Sequence, residues 1–381
     1  MPEEDAPSQS GAVASADTAK ERKFPCKQCG ADLVFEPGQK ELKCPYCGHE
    51  EKIPQTEAEI KEYSFNDYLA KPRGRGYGQT GGRDVRCGGC GAVTHFDASM
   101  RATTCAFCGG PLVTEDGAGD GAGEDVIAPE ALVPFAITAA QAQERFRQWI
   151  ASLWFAPSQL KRGSSLRQLQ GVYRPFWTYD AHTVSHWTGE RGDYYYTTET
   201  YTVYENGKAV TKTRQVRHTR WTYVSGVYSE FFDDVLISAG RNTDFNTTYQ
   251  LGGLKPYAKE YLSGFAAERY VVACEAGWNS AKEIIAGEIY SAVRNQIGGD
   301  EQRVTSVNTA YSGVTYKHIL LPLWISSYRY GTKTYSFQVN GQTGAVCGAR
   351  PYSFWKIFFL VVSILAAMAI IALLVSNTQA H

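Results

Sequence analysis

Ten cysteines occur in the 381-residue chain, and eight fall in Cys-x-x-Cys pairs: Cys26/Cys29, Cys44/Cys47, Cys87/Cys90 and Cys105/Cys108. Fourteen residues separate the two pairs of each quartet. A shift of 61 residues lays the first quartet on the second, and carries Gly30 to Gly91, Phe35 to Phe96 and Gly48 to Gly109. The segment is therefore an internal duplication. Two residues between thiolates let one tight turn offer both sulfurs to a tetrahedral ion at about 2.3 Å. A glycine after each pair suits that turn, because it accepts positive φ. The expectation is two structural Zn²⁺ ions, each closed off by four cysteines with no open position for catalysis. A thioredoxin-like redox motif would be one pair in a βαβ setting, and disulfides are out of place in a domain facing a reducing compartment. Cys274 and Cys347 stand apart and read as buried free cysteines.

Other residues that could do chemistry are sparse. His182 and His186, in "HTVSH", share a face in either a strand or a helix; metal ligation and ordinary sheet-surface histidines both fit. Asp233 and Asp234 are adjacent and would point to opposite faces of a strand, so they cannot act as a pair without a bulge. No GxxxxGK[ST] occurs, which excludes a P-loop nucleotide motor. No nucleophile motif is evident, and the expectation is a protein that is not an enzyme, with no catalytic residue.

The elements that must position these groups follow from pattern. Residues 1–22 are polar and acidic and read as a disordered tail without a secretory signal. Residues 23–53 form zinc ribbon 1, 54–83 a short helix and a Gly/Arg-rich linker, and 84–113 zinc ribbon 2. An acidic Gly-rich linker covers 114–128, and an α+β body 129–350. In the body, Thr138 and Gln141 form a capping box ahead of a helix with Ala142, Phe146, Trp149, Leu153 and Trp154 on one face. A second helix begins at Ser280, capped by Glu283, with Ile285, Ile289, Val293 and Ile297 on its face. Between and after the helices lie strands, with hairpin signals at Asn206-Gly207 and Asn340-Gly341. Pro175-Phe176-Trp177 follows the first helix much as Pro322-Leu323-Trp324 follows the second, which makes the two halves candidate repeats.

From Ile357 to Val375 nineteen residues run without a charge, about 28 Å of helix, enough for a bilayer. The expectation is a transmembrane helix over 354–376 with a Tyr352/Phe354/Trp355 belt, a core helix being the alternative. Arg350 and Lys356 precede it and "SNTQAH" lacks Lys and Arg, which places the bulk of the chain in the cytoplasm.

Lys+Arg 38 against Asp+Glu 39 leaves no overall field to draw in nucleic acid. Local cations remain. Lys23, Lys27, Lys40 and Lys43, and Arg83, Arg86 and Arg101, surround the two quartets, where they balance thiolate charge or form a surface for protein or nucleic acid. Lys212, Arg214, Val216, His218 and Arg220 share one strand face. They read as cross-strand partners of Glu199 and Glu205, as a partner or acidic-lipid surface, or as a nucleic-acid contact.

Together, "CKQCGADLVFEPGQKELKCPYCG", "VYRPFWTYDA", "GERGDYYY", "FFDDVL", "KHILLPLWISSYRY" and "VNGQTGAVCGARPYS" resemble a family of bacterial membrane-anchored zinc-ribbon proteins of the transcription-factor-IIB type. These are commonly labelled "primosomal protein N′ (replication factor Y), superfamily II helicase". They are related to zinc-ribbon anchors encoded beside phage-shock and SPFH proteins. The resemblance implies an α+β chain with N-terminal ribbons and a membrane segment, and SPFH or phage-shock-like protein partners. The ATPase motifs of true primosomal helicases have no counterpart here. The resulting expectation is a tail-anchored, single-pass protein of the inner (plasma) membrane, acting as a non-enzymatic adaptor or scaffold in envelope-stress complexes. The alternative is a zinc-ribbon protein that binds nucleic acid for replication or transcription.

Overall fold

The computed structural model describes residues 24–54, 59–70, 82–86, 93–97, 102–104, 111–113, 127–158, 160, 169–205, 208–240, 249–268, 270–331 and 333–379. The expected N-terminal tail and most of both linkers lie outside the described residues.

The described residues open with a three-stranded sheet of β1 (Val34–Phe35), β2 (Glu41–Lys43) and β3 (Glu50–Lys52). Next come β4 (Tyr63–Ser64), the six-residue α1 (Phe65–Ala70), and two hairpins, β5 (Gly82–Arg86) with β6 (Val93–Asp97) and β7 (Ala102–Thr104) with β8 (Pro111–Val113). The short helix expected within 54–83 is represented among the described residues by Phe65–Ala70.

The body is mixed α+β and rich in strand. It contains β9 (Ala131–Leu132), α2 (Ala139–Ser152), β10 (Gln170–Glu205), β11 (Lys208–Ser238), β12 (Lys255–Pro256) and β13 (Ala266–Ala267). It continues with α3 (Cys274–Ile297), β14 (Glu301–Tyr330), β15 (Lys333–Asn340) and β16 (Val346–Gly348). The main sheet runs β11-β10-β14-β15-β16, antiparallel throughout. α2 starts at the expected capping box, with Thr138 Oγ1 accepting from the Gln141 amide. It buries Ala142, Phe146 and Ile150, and Phe146 stacks on Phe337 at 3.7 Å. Trp154 does not join that face; it lies beyond the helix and is 75% exposed. α3 buries Ile285, Ile289, Val293 and Ile297 as its period requires. It begins at Cys274 rather than Ser280, which sits in the helix interior, and no side chain caps it.

Two units of the body are equivalent in backbone bonding, and each completes the other. Short strand β9 pairs in parallel with β14 (Ala131 with Ile319), and β13 pairs in parallel with β10 (Ala266 with Val172). The Val133 amide donates to Leu320 O and the Glu268 amide to Tyr173 O. Gly341 O accepts from Ala136 and Ile137, as Ala239 O accepts from Val271 and Val272. Residues ahead of the helices correspond with an offset of 135, and those in the long strands with an offset of 147. α2 therefore packs on the hairpin of the second unit (Phe146 on Phe337), and α3 on the strands of the first, where Tyr179 Oη donates to Cys274 O.

The last helix, α4 (Phe354–Gln379), is exposed, with a stretch Phe354–Ala372 of mean hydropathy 2.5 that is long and apolar enough to cross a membrane. No residue of that stretch is buried, so it is not a core helix of this chain. Its first turn is tied to the loop after α2. Lys356 Nζ donates to the carbonyls of Trp154 and Ala156, and the Ser353 amide donates to Phe155 O.

Candidate metal centre

Cys26, Cys29, Cys44 and Cys47 come together with their four sulfurs within 4.8 Å of one another. Two tight turns position them. In the first, Pro25 bridges Asp32, and Gly30 turns with φ 71° and donates to Cys26 O. In the second, Lys43 pairs with Glu50, and Gly48 turns with φ 74° and donates to Cys44 O. The two turns thus present the same geometry from opposite sides.

The sulfurs fit a tetrahedral ion. A 2.3 Å metal–sulfur bond sets sulfurs about 3.8 Å apart; Cys26 and Cys47 are at 3.5 Å, and Cys29 and Cys44 at 3.4 Å. Backbone amides point at them in matched fashion. Cys29 and Gln28 donate to Cys26, and Cys47 and Tyr46 to Cys44; Ala31 donates to Cys29 and His49 to Cys47. Such N–H···S bonds favour thiolate over thiol. The Cys47 amide, with that of Tyr46, overcomes desolvation and brings the Cys44 thiol down to about 6. At Cys47 the His49 amide is outweighed by desolvation and by the three neighbouring thiols, which push that thiol up to about 12. Four thiols so close cannot all ionise together without a cation, and a divalent metal held by the four sulfurs would supply it.

This hairpin is part of the body's core. Cys26, Leu33, Phe35, Leu42 and Cys44 are buried in the same cluster as Phe135, Phe146 and Tyr261. Ser263 Oγ donates to Leu33 O, and the Phe35 amide donates to Ser263 O. Lys27 pairs with Glu51 at 2.6 Å and Lys43 with Glu50 at 3.0 Å, so two of the expected nearby cations are engaged with carboxylates.

Cys87, Cys90, Cys105 and Cys108 lie outside the described residues. The strands flanking them repeat the first hairpin's register under the same offset of 61. Pro25 with Asp32 corresponds to Arg86 with Val93, and Lys43 with Glu50 to Thr104 with Pro111.

The remaining candidates separate clearly. His182 and His186 are exposed on one face of β10, opposite Phe231 and Val227, and join no cluster of three ligands among the described residues. Cys274 is buried, and burial pushes its thiol up to about 12; Cys347 is half-buried and also raised by burial. The basic stripe faces Asp193, Tyr195, Thr197, Glu199 and Tyr201 across the hairpin, with Arg214 paired to Glu199 at 3.0 Å.

Asp233 and Asp234 do meet the condition of a bulge. Both stand opposite Asp180, between the pairs Tyr179–Val235 and Ala181–Phe232, and Asp234 has φ 52°. Their carboxylates and that of Asp180 lie within 4.8 Å of one another. Lys317 pairs with one member of this group and with a neighbouring carboxylate, 2.8 Å from Asp234 and 2.9 Å from Glu62. Desolvation pushes Asp180 up to about 6, against bonds from the Asp234 amide and Thr315. The group ties the 59–64 segment to β14, and the lysine already supplies its cation.

Among known proteins, the chain is similar to the uncharacterized protein YdjG of Bacillus subtilis (strain 168). The two are 28% identical over 348 residues, covering 88% of this chain and 91% of YdjG. No family model and no solved structure matches.

Proposed function

We propose that this chain is a membrane-anchored zinc-ribbon protein that works as a non-enzymatic adaptor. Its C-terminal helix holds the body on the cytoplasmic face of the inner membrane, and the body presents two four-cysteine zinc sites and a long β-hairpin to other proteins. The observation that carries this reading is the four-sulfur cluster. When all four positions of a tetrahedral ion are taken by thiolates, the metal serves structure and has nowhere to bind substrate. The tie between Lys356 and the carbonyls of Trp154 and Ala156 supports a body held close against the anchor. Envelope-stress complexes containing SPFH or phage-shock-like proteins are the setting that the resemblance suggests. The nucleic-acid alternative draws on the basic stripe, and is weakened by the acids aligned against it.

Deleting 354–381 tests the anchor. The shortened chain should move from the membrane pellet to the supernatant at ordinary salt while keeping its zinc. Retention in the pellet after alkaline washing would refute an anchor of this kind.

A further inference from the structure

The hairpin of β10 and β11 outgrows the sheet that carries it. β14 stops covering β10 at the pair Gly192–Glu301, yet β10 and β11 stay paired down to Glu205–Lys208. The result is a two-stranded arm, roughly 40 Å long at about 3.3 Å per residue. The equivalent hairpin of the second unit turns soon after the body, at Tyr330–Lys333. The fold of the unit therefore does not require the arm's length.

The arm is costly to leave alone. Both of its faces are solvent-exposed over 195–202 and 208–215, and Tyr196 and Tyr204 are 60% and 79% exposed. A free two-stranded ribbon is marginally stable at best, and open strand edges recruit further strands.

Its two strands carry opposite charge. Residues 193–205 hold three acids, Asp193, Glu199 and Glu205, and no Lys or Arg. Residues 208–220 hold five bases, Lys208, Lys212, Arg214, Arg217 and Arg220, and no Asp or Glu. The acids recur every six residues, and each stands opposite a base with the same spacing, Arg220, Arg214 and Lys208. One edge of the arm is thus acidic and the other basic, in matching register. A two-fold pairing would set acid edge on acid edge or base edge on base edge, which like charges oppose. A neighbour pointing the same way sets the acidic β10 edge against a basic β11 edge, repeating the register of the hairpin and the Glu199–Arg214 pair already made inside it.

A shared membrane imposes that common direction. The anchor joins the body near Tyr328, whose Oη donates to Ala349 O, and β14 runs from there back to Glu301, where the arm departs. Arms of copies anchored in one bilayer therefore all project away from it, the same way round. We infer that this arm is a self-assembly edge: the β10 strand of one copy pairs antiparallel with the β11 strand of the next. The inference rests on the membrane-anchored reading above. Because the contact is head-to-tail, it builds rings or open arrays rather than closed two-fold dimers.

The test uses two full-length chains with different epitope tags, one carrying Thr200→Cys and the other Thr213→Cys, co-expressed and treated in isolated membranes with a short thiol crosslinker. Both positions are exposed, and Thr200 stands opposite Thr213 in register. Mixed dimers should exceed those of either variant alone, or of the unsubstituted chain, by about tenfold. Adding Arg214→Glu to the second chain should abolish them, and Glu199→Arg added to the first should restore them. Homotypic Thr200→Cys dimers would indicate two-fold pairing and overturn the inference. So would membrane-bound chains that form no mixed dimer. A chain found in the supernatant would instead contradict the anchored reading itself.

Discussion

Trp177 and Trp324 make the same hydrogen bond from opposite units of the body. Each indole Nε1 donates to the carbonyl two residues ahead of the other unit's helix, Trp177 to Val272 at 2.9 Å and Trp324 to Ile137 at 2.8 Å. Each unit thereby fixes where its partner's helix begins, and neither can bury its own helix alone. The body consequently folds as one interlocked core.

Trp177→Phe and Trp324→Phe should each keep a ring in place but leave a half-buried carbonyl without its indole donor, at a cost of about 1 kcal/mol. The two losses should be similar, read from urea midpoints of the solubilised body. A large loss at one site and none at the other would show that the units are not energetically equivalent.

The metal sites should hold two Zn²⁺ per chain, and Cys44→Ser should remove one of them. The substitution also loosens Phe35 and Leu42, which share the buried cluster with Cys44, so zinc loss and lowered thermal stability should appear together. Unchanged metal content would exclude this quartet as a site.

How far the sequence foretold these features depends on how local each one is. Tetrahedral ligation writes itself into short spacings, so the Cys26–Cys47 quartet was legible. The buried stripe of α3 was legible from its period, but its start was not: Ser280 and Glu283 imitate a cap inside a helix that begins at Cys274 with no side-chain cap. The interlocking of the units left only the Pro-x-Trp echo, because α3 is longer than α2 and no single offset aligns helix and strand together. The Asp233–Asp234 bulge depends on Asp180, distant in sequence, and periodicity within one strand cannot announce it. Trp154 fits the α2 face by count, yet the helix ends at Ser152.

His318 should make stability fall in acid. It is buried, with Nδ1 donating to Ile127 O, and desolvation lowers it to about 4. Its folded value is depressed below the ordinary 6.5, so its neutral form stabilises the fold fully above pH 6.5, and that stability is lost as pH falls toward 4. The drop corresponds to about 3 kcal/mol. The difference in stability between the parent and His318→Gln should vary with pH over this window; a flat difference would mean the imidazole is not held neutral by burial.

Lys317→Met should destabilise by about 2 kcal/mol, less than for a fully buried pair because Glu62 is 43% exposed. Asp234→Asn in that background should recover part of the loss, since it removes a carboxylate that the lysine no longer balances. Additive losses in a double-mutant cycle would show that the two side chains do not interact.

An adaptor of this kind brings proteins together at a membrane. The most direct measurement is gentle solubilisation of the full-length chain from native membranes, with and without nuclease, followed by identification of what co-purifies. A protein partner should remain in stoichiometric amount after nuclease treatment. Recovery of DNA or RNA, with every companion protein lost on nuclease treatment, would contradict it.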